Sequence, residues 1–134
     1  MYMSCIYKCI FIYLYKVYCT RTEEDDSTWT LIQRRSNNAT DFQRSWSNYK
    51  NTFGDPAINY WLGLDKMHAI TRQRQYKLRV DITDWNDVTL KAQYDSFEIM
   101  GQELWYQLRY NGYVPPEPGQ GTEDCVSFAK AIFC

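Results

Sequence analysis

The segment that decides the fold is Trp29-Thr-Leu-Ile-Gln-Arg-Arg35. Its β-branched and aromatic residues are typical of a β-strand. Because large residues fall on both faces of that strand, the segment predicts a strand that is central in a sheet or covered on both sides. The polar residues Ser36 to Thr40 follow it and predict a turn.

Two short helices are predicted after this strand. The first is indicated by apolar residues at helical spacing, with Asp41 or Ser45 as its N-cap and Gly54 to Pro56 as its end. Its apolar stripe consists of Phe42, Trp46, Tyr49 and Phe53. A second helix is predicted after Gly63, with Asp65 near its N-terminus. Its stripe consists of Trp61, Leu64, His68 and Thr71.

The second half of the chain alternates apolar and polar residues, which predicts β-strands. Tyr76 to Ile82 forms the first strand and Asp84 to Asp87 a turn, and Leu90 to Tyr94 and Leu104 to Tyr110 form two further strands. Three consecutive strands predict an antiparallel meander with the helices on one side, which is an α+β fold. Four aromatic residues fall on faces that this layout buries: Trp29, Trp46, Trp61 and Tyr94.

Length and charge limit the class of protein. At 134 residues the chain is long enough for one domain. The formal charge of −1 argues against a nucleic-acid-binding protein, which would carry a basic face. The apolar run Cys9 to Tyr15 is too short to span a bilayer. It predicts either a signal peptide or a buried β-strand, and a third interpretation is that the segment is foreign to the domain.

The sequence offers no catalytic or metal-binding constellation. His68 is the single histidine and no nucleophile motif accompanies it, so we expect a structural role for it and no enzymatic activity. The acidic residues Asp81, Asp84 and Asp87 lack the spacing and the glycine of a calcium loop, and we interpret them as solvated and turn-forming. We therefore predict no catalytic residue, no metal site and no cofactor, and the ligand-binding residues stay open.

The five cysteines lie near the two ends of the chain: Cys5, Cys9, Cys19, Cys125 and Cys134. An odd number leaves one thiol unpaired or paired between chains, which is one route to an oligomer. The lack of a Cys-x-x-Cys pair argues against zinc. Asn38-Ala39-Thr40 is an N-glycosylation sequon, so Asn38 is a glycosylation candidate in a secreted chain.

Several motifs follow one another in the order of a known family. Trp29 to Arg35 is followed by Trp46-Ser-Asn-Tyr49, Phe53-Gly-Asp55, Trp61-Leu-Gly63, Tyr76-Lys-Leu-Arg-Val-Asp81 and Tyr94-Asp-Ser-Phe97. This order and spacing resemble the fibrinogen-related domain, the C-terminal globular module of fibrinogen chains, ficolins, tenascins and angiopoietins. The resemblance extends from Val17 to Gly112. It implies a partial fibrinogen-related domain at 17–114, an atypical apolar segment at 1–16, and a Pro/Gly linker with a non-matching tail at 115–134.

The resemblance has consequences for single residues. Cys19 matches a family cysteine that pairs with one further upstream, so Cys19 is the disulfide candidate. Ser27-Thr28 stands where the family has two glycines. The family's calcium loop and its pocket for acetylated sugars or peptide ends lie in a C-terminal subdomain that finds no match after Gly112. We therefore expect a truncated form without that subdomain, and an open sheet edge that is a second route to oligomers.

Two functional hypotheses follow from the resemblance, because family domains are secreted or extracellular and bind without catalysing. The first is a recognition protein of the lectin-like, innate-defence type. The alternative is an extracellular-matrix or receptor-ligand module, as in tenascins and angiopoietins. The implied partners of the parent protein are microbial or host glycans or a cell-surface protein, and neither hypothesis predicts nucleic-acid binding or a membrane span.

Overall fold

The structure is a computed structural model that describes residues 2–5, 15–21 and 27–114. Its strands are β1 (Tyr2–Cys5), β2 (Cys19–Arg21), β3 (Thr28–Leu31), β4 (Gln33–Arg35), β5 (Phe53–Asp55), β6 (Asn59–Trp61), β7 (Tyr76–Thr83), β8 (Thr89–Ile99) and β9 (Leu108–Val114). Its helices are α1 (Trp46–Lys50), α2 (Leu64–Thr71) and a short 3₁₀ helix (Gln102–Leu104). Antiparallel sheets with a few short helices confirm the predicted α+β class.

The strands form two antiparallel sheets. The larger sheet has six strands in the order β2-β3-β1-β7-β8-β9, and the smaller has three in the order β4-β6-β5. The predicted meander is present as β7, β8 and β9, which are neighbours in sequence and in the sheet. The strand β1 lies between β3 and β7, so residues from the start of the chain complete the centre of the larger sheet.

The segment from Trp29 to Arg35 is not one strand. Its first part belongs to β3 in the larger sheet and its last part to β4 in the smaller sheet. Ile32 lies at the break, is fully buried, and its carbonyl oxygen accepts a hydrogen bond of 2.9 Å from the backbone N–H of Leu62. The segment therefore connects both sheets, which explains why it carries large residues on both faces.

The first predicted helix is much shorter than its apolar spacing indicates. It covers only Trp46–Lys50, with Ser45 at the N-cap position, and Phe53 begins β5. The reason is tertiary pairing, because Phe53 pairs with Trp61 in a hairpin between β5 and β6. Gly54 permits that hairpin: its φ is +82°, and a Cβ there would lie 2.1 Å from the Asn59 carbonyl oxygen. Trp61 likewise lies on a strand and not on a helical stripe.

The second helix is confirmed. It begins at Leu64 directly after Gly63 and carries Asp65 in its first turn. Gly63 has a φ of +99°, and a Cβ there would lie 2.7 Å from the carbonyl carbon of Asn51. The close approach of α2 to the end of α1 therefore requires glycine at this position. The helix packs beside β8, and its buried residues are Leu64, Met67, Ile70 and Thr71.

The strands β7 and β8 also follow the prediction. Tyr76, Leu78 and Val80 are buried as the alternation predicts, whereas Ile82 near the end of the hairpin is exposed. The third strand begins at Leu108 instead of Leu104. The intervening residues form the 3₁₀ helix and a turn in which Trp105 and Tyr106 have φ values of 54° and 53°.

Three predicted features lie wholly or mostly outside the described residues. They are the strand or signal peptide at Cys9 to Tyr15, the linker that begins at Pro115, and the tail that ends at Cys134. Among the described residues, the core is built from Ile32, Leu62, Met67, Leu78 and Ile99 together with buried aromatic rings.

Candidate binding surface

The four aromatic residues that the sequence assigned to the core differ in their burial. Trp29, Trp61 and Tyr94 are buried, with exposed fractions of 2%, 0% and 1%. Trp46 is 45% exposed, so the prediction that it is a core residue is wrong. The reason is the shortness of α1, a helix of five residues with no buried residue.

Trp61 is a buried aromatic residue whose indole N–H and ring both contact Tyr49. Its indole N–H donates a hydrogen bond of 2.8 Å to the Tyr49 carbonyl oxygen, and its ring lies 5.2 Å from the Tyr49 ring in an edge-on arrangement. Trp46 makes contacts of a different kind. Its ring lies 6.4 Å from the Trp105 ring and 5.8 Å from the Tyr106 ring.

These contacts join Trp46, Trp105 and Tyr106 in a cluster. Together with Leu104, the exposed residue before Trp105, they form what we call the aromatic surface. Trp105 is 77% exposed and Leu104 is 44% exposed, whereas Tyr106 is buried beneath them. Isolated apolar side chains are common on protein surfaces, but neighbouring large ones are typical of interaction sites. Two tryptophans within ring-contact distance therefore make this the candidate binding surface of the described residues.

The backbone after Gly101 determines how the aromatic surface is presented. The Gly101 carbonyl oxygen accepts hydrogen bonds from the backbone N–H groups of Leu104 and Tyr106, at 3.0 and 3.1 Å. The Gln102 carbonyl oxygen accepts one from Trp105 at 3.0 Å. These bonds hold Trp105 and Tyr106 in the left-handed region, which residues with side chains rarely adopt.

Two side-chain contacts attach this turn to the helices. The ammonium group of Lys50, at the end of α1, donates a hydrogen bond of 2.7 Å to the side-chain oxygen of Gln102. The hydroxyl of Tyr106 donates a hydrogen bond to the carboxylate of Asp65 in the first turn of α2. Burial, that hydrogen bond and the charges of Asp65 and Glu103 raise the pKa of Tyr106 to about 12. The hydroxyl therefore stays protonated well above neutral pH and donates its hydrogen bond to Asp65.

Sequence reasoning missed this surface because it assigned Leu104 and Tyr106 to a strand. The alternation of Leu104, Tyr106, Leu108 and Tyr110 continues into β9, so the spacing alone does not show where the strand begins. Gly101 is the one signal nearby, since glycine often interrupts a strand. Its position two residues after the end of β8 could have indicated a turn.

His68 has a structural environment. Its Nδ1 lies 2.8 Å from the Ile99 carbonyl oxygen, which also accepts a hydrogen bond from the Thr71 hydroxyl. These contacts attach α2 to the end of β8. Among the described residues, the hydrogen-bond partner of the His68 ring is this main-chain carbonyl oxygen.

The acidic residues of the β7–β8 hairpin act in local structure. Asp81 forms an ion pair of 2.9 Å with Arg79. Asp84 accepts hydrogen bonds from the backbone N–H groups of Val88 and Asn86, which lower the pKa of its carboxyl. Within 15–21 and 27–114, no three His, Cys, Asp or Glu side chains come together as a potential metal site.

Cys19, the disulfide candidate, is disulfide-bonded.

A separate cavity of about 370 Å³ lies beside α2. It is lined by Tyr15, Ala69, Arg72 and Gln73, none of which belongs to the aromatic surface. Small-molecule sites usually combine an apolar enclosure with a few convergent polar groups. Of its described lining residues, Arg72 and Gln73 are exposed and give it no apolar enclosure.

Comparisons with known proteins agree with the resemblance. The family model for the fibrinogen beta and gamma chains, C-terminal globular domain, matches residues 2–130. Angiopoietin-4 of Homo sapiens is 43% identical over 98 residues, covering 73% of this chain and 19% of that protein. Angiopoietin-1 of Rattus norvegicus is also 43% identical, and tenascin of Gallus gallus is 42% identical, over 98 residues each. The matched part is 20% of that angiopoietin and 5% of that tenascin.

Solved structures show the same relationship. The fibrinogen-like globe domain of human ANGPTL6 matches with a TM-score of 0.67 and 31% identity, over 74% of this chain and 50% of that one. The lamprey fibrin D-dimer, solved with the peptide ligand Gly-His-Arg-Pro-amide, matches with a TM-score of 0.67 and 30% identity. That match covers 81% of this chain and 37% of the lamprey chain.

The chain thus spans a fifth or less of these curated relatives and half or less of the solved domains. In the ranges that the structure describes, no helix is long and apolar enough to cross a bilayer. The family model extends further than the motif-bearing region from Val17 to Gly112 and includes β1 at its start. On this match and on the shared fold, the chain belongs to the fibrinogen C-terminal globular domain family.

Proposed function

We propose that this chain is an extracellular, non-enzymatic binding module of the receptor-ligand or matrix kind. The observation that carries this proposal is its 42–43% identity to angiopoietins and tenascin over 98 residues. The defence-lectin hypothesis, which the sequence first favoured, has no comparable support among these relatives. We therefore prefer the alternative that the resemblance also implied.

The geometry supports contact with a protein. Tryptophan and tyrosine are enriched at the centres of protein interfaces, where they contribute much of the binding free energy. The aromatic surface presents Trp46 and Trp105 beside each other. Two polar pairs next to it are engaged, Lys50 with Gln102 and Asp65 with Tyr106, whereas the Glu103 carboxylate is exposed. Because the large exposed side chains here are apolar, an apolar patch on a cell-surface or matrix protein is the partner that fits best.

The proposal also covers the secretion and the domain organisation of the parent protein. We infer secretion, because family membership implies an extracellular domain. We also infer that 17–114 is part of one fibrinogen-related domain and that 115–134 is the linker and tail after it, although the family model still matches 115–130. The pairing of β1 with β3 and β7 supports counting the start of the segment 1–16 with the domain.

The test measures which class of partner the chain binds. The chain is expressed with a secretion signal, purified, labelled, and incubated with intact cells of its source. We expect saturable binding that mild protease treatment of the cells removes and that glycosidase treatment leaves intact. Soluble N-acetylglucosamine and acetylated albumin serve as probes of the lectin hypothesis, each with and without calcium.

The outcomes discriminate between the two hypotheses. Binding to acetylated albumin that a chelator abolishes, and that N-acetylglucosamine competes away, would replace the proposal by the defence-lectin hypothesis. Lack of any saturable binding to cells would also count against the proposal. We expect no calcium-dependent sugar binding, because calcium needs six to eight oxygen ligands held together. After Gly112 the sequence has only Glu117, Glu123 and Asp124 as acidic side chains.

A further inference from the structure

The loop from Ser36 to Thr40 is fixed by one buried amide. Asn59 is fully buried, and its side-chain oxygen accepts hydrogen bonds from the backbone N–H groups of Ser36 and Asn37, at 2.9 and 3.3 Å. Its side-chain N–H₂ donates to the Asn37 side-chain oxygen at 2.6 Å and to the Thr40 hydroxyl at 3.3 Å. All four hydrogen bonds point into the loop and hold its backbone in one arrangement.

The side chains of Asn37 and Asn38 therefore differ in their hydrogen bonds. The Asn37 side chain is engaged with Asn59, and its oxygen also accepts a hydrogen bond of 2.9 Å from the backbone N–H of Ala39. The Asn38 side chain is exposed and takes part in none of the hydrogen bonds between described residues. Both asparagines are exposed, but the Asn37 side chain is held by hydrogen bonds within the fold and the Asn38 side chain is not.

From this arrangement we propose that Asn38 carries an N-linked oligosaccharide when the chain passes through the secretory pathway. This proposal rests on the extracellular placement proposed above. In the reaction, the amide nitrogen of Asn38 attacks the first sugar carbon of a polyprenyl-diphosphate-linked oligosaccharide. The new bond joins Asn38 Nδ2 to that carbon, the bond from the carbon to the diphosphate oxygen breaks, and the amide nitrogen loses one proton. No atom changes its oxidation state.

The fold accommodates this modification without rearrangement. Thr40, the third residue of the sequon, has its hydroxyl engaged by Asn59 in the folded domain. Transfer of the oligosaccharide therefore precedes the closing of this loop. Once the loop has closed, the sugar projects from an exposed side chain and none of the four hydrogen bonds of Asn59 is lost.

The sugar also has a defined place on the fold. Asn38 follows Arg35, the last residue of β4, by three positions, and β4 is an outer strand of the smaller sheet. The aromatic surface, on α1 and the 3₁₀ turn, is built from other elements, so the sugar would not be attached to it.

The experiment compares secreted variants before and after treatment with an N-glycosidase. The wild type and Thr40→Ser, which keeps a hydroxyl, should both lose one oligosaccharide, and Asn38→Gln should show no shift. Peptide mapping of the treated wild type should find aspartate at position 38, because the enzyme converts the glycosylated asparagine. This measurement is made on the wild type, so it does not depend on the folding of any variant. A secreted wild type with unmodified Asn38 would overturn the proposal.

A shifted sequon tests the part played by the loop. The double variant N38Q/A39T moves the acceptor position to Asn37. We expect it to be secreted poorly, or to melt at a lower temperature than N38Q, because the bond between Asn37 and Asn59 is lost. A shifted variant that is glycosylated at Asn37 and melts like the glycosylated wild type would contradict the assignment of distinct roles. Cell binding is measured separately, so failure of the binding proposal and failure of glycosylation are distinguishable.

Discussion

The hydroxyl of Tyr106 donates a hydrogen bond to the carboxylate of Asp65, which lies 41 positions earlier in the chain. This contact joins the turn after the 3₁₀ helix to the first turn of α2. It fixes Tyr106, the residue against which the ring of Trp46 packs. A single long-range contact thus connects the packing of α2 to the presentation of Trp105.

The Tyr106 contact predicts a loss of stability at alkaline pH. The pKa of Tyr106 is raised from its ordinary value of 10.0 to about 12 in the folded protein. Between these values the unfolded chain has released the phenolic proton and the folded chain has kept it. The free energy of unfolding therefore decreases as the pH rises from about 10 to about 12, and the contribution is fully present below that range.

The check is urea unfolding at several pH values, with Tyr106→Phe as the control. Other groups also titrate at alkaline pH, so the informative quantity is the difference between wild type and variant. We expect that difference to shrink as the pH rises through this range. A difference that stays constant from pH 9 to pH 12 would contradict the stated role of the hydrogen bond.

Replacing a buried tryptophan should lower the free energy of unfolding more than replacing a half-exposed one. Replacing Trp61, which is fully buried, with alanine should cost about 3–5 kcal/mol. Replacing Trp46, which is half-exposed, should cost less than about 1.5 kcal/mol. Denaturant unfolding of both variants measures these costs. Equal destabilisation would show that Trp46 is a core residue after all.

The insertion of β1 makes a prediction about the start of the chain. Met3 pairs with Thr30 of β3 on one side and with Leu78 of β7 on the other. Proline at position 3 removes a backbone N–H from the centre of the sheet, which should cost about 1–3 kcal/mol. Met3→Ala keeps that N–H and is the matched control. If both variants unfold at the same urea concentration, β1 does not pair in solution.

The regular parts of the fold could be predicted from local patterns. The helix α2 begins after a glycine and carries its apolar residues at helical spacing, and β7 alternates strictly from Tyr76 to Val80. In these elements the local preference and the tertiary environment agree, so the pattern alone is sufficient.

The first helix shows where local patterns mislead. The spacing of Phe42, Tyr49 and Phe53 does reflect a real cluster, since Phe53 lies 5.4 Å from each of the other two rings. The backbone between them is only partly helical, because the pairing of Phe53 with Trp61 takes the end of the segment into a sheet. Long-range pairing of this kind leaves no periodic signal in the sequence.

The aromatic surface was unpredictable for a similar reason. It depends on two consecutive residues in the left-handed region, Trp105 and Tyr106, and neither residue type favours that conformation. The turn is stabilised by hydrogen bonds to Gly101 and Gln102 and by the contact with Asp65. The exposure of Trp46 in turn follows from the shortness of α1.

The central claim, that the aromatic surface contacts a protein partner, is tested most directly by cell binding of two tryptophan variants. Trp105 belongs to the aromatic surface, and Trp85 is a fully exposed tryptophan at the tip of the β7–β8 hairpin. Replacing an interface tryptophan typically costs 2 kcal/mol or more of binding free energy, so Trp105→Ala should weaken binding by roughly 30-fold or more. Trp85→Ala should bind like the wild type. Equal binding by Trp105→Ala and the wild type, with both variants folded, would contradict the claim.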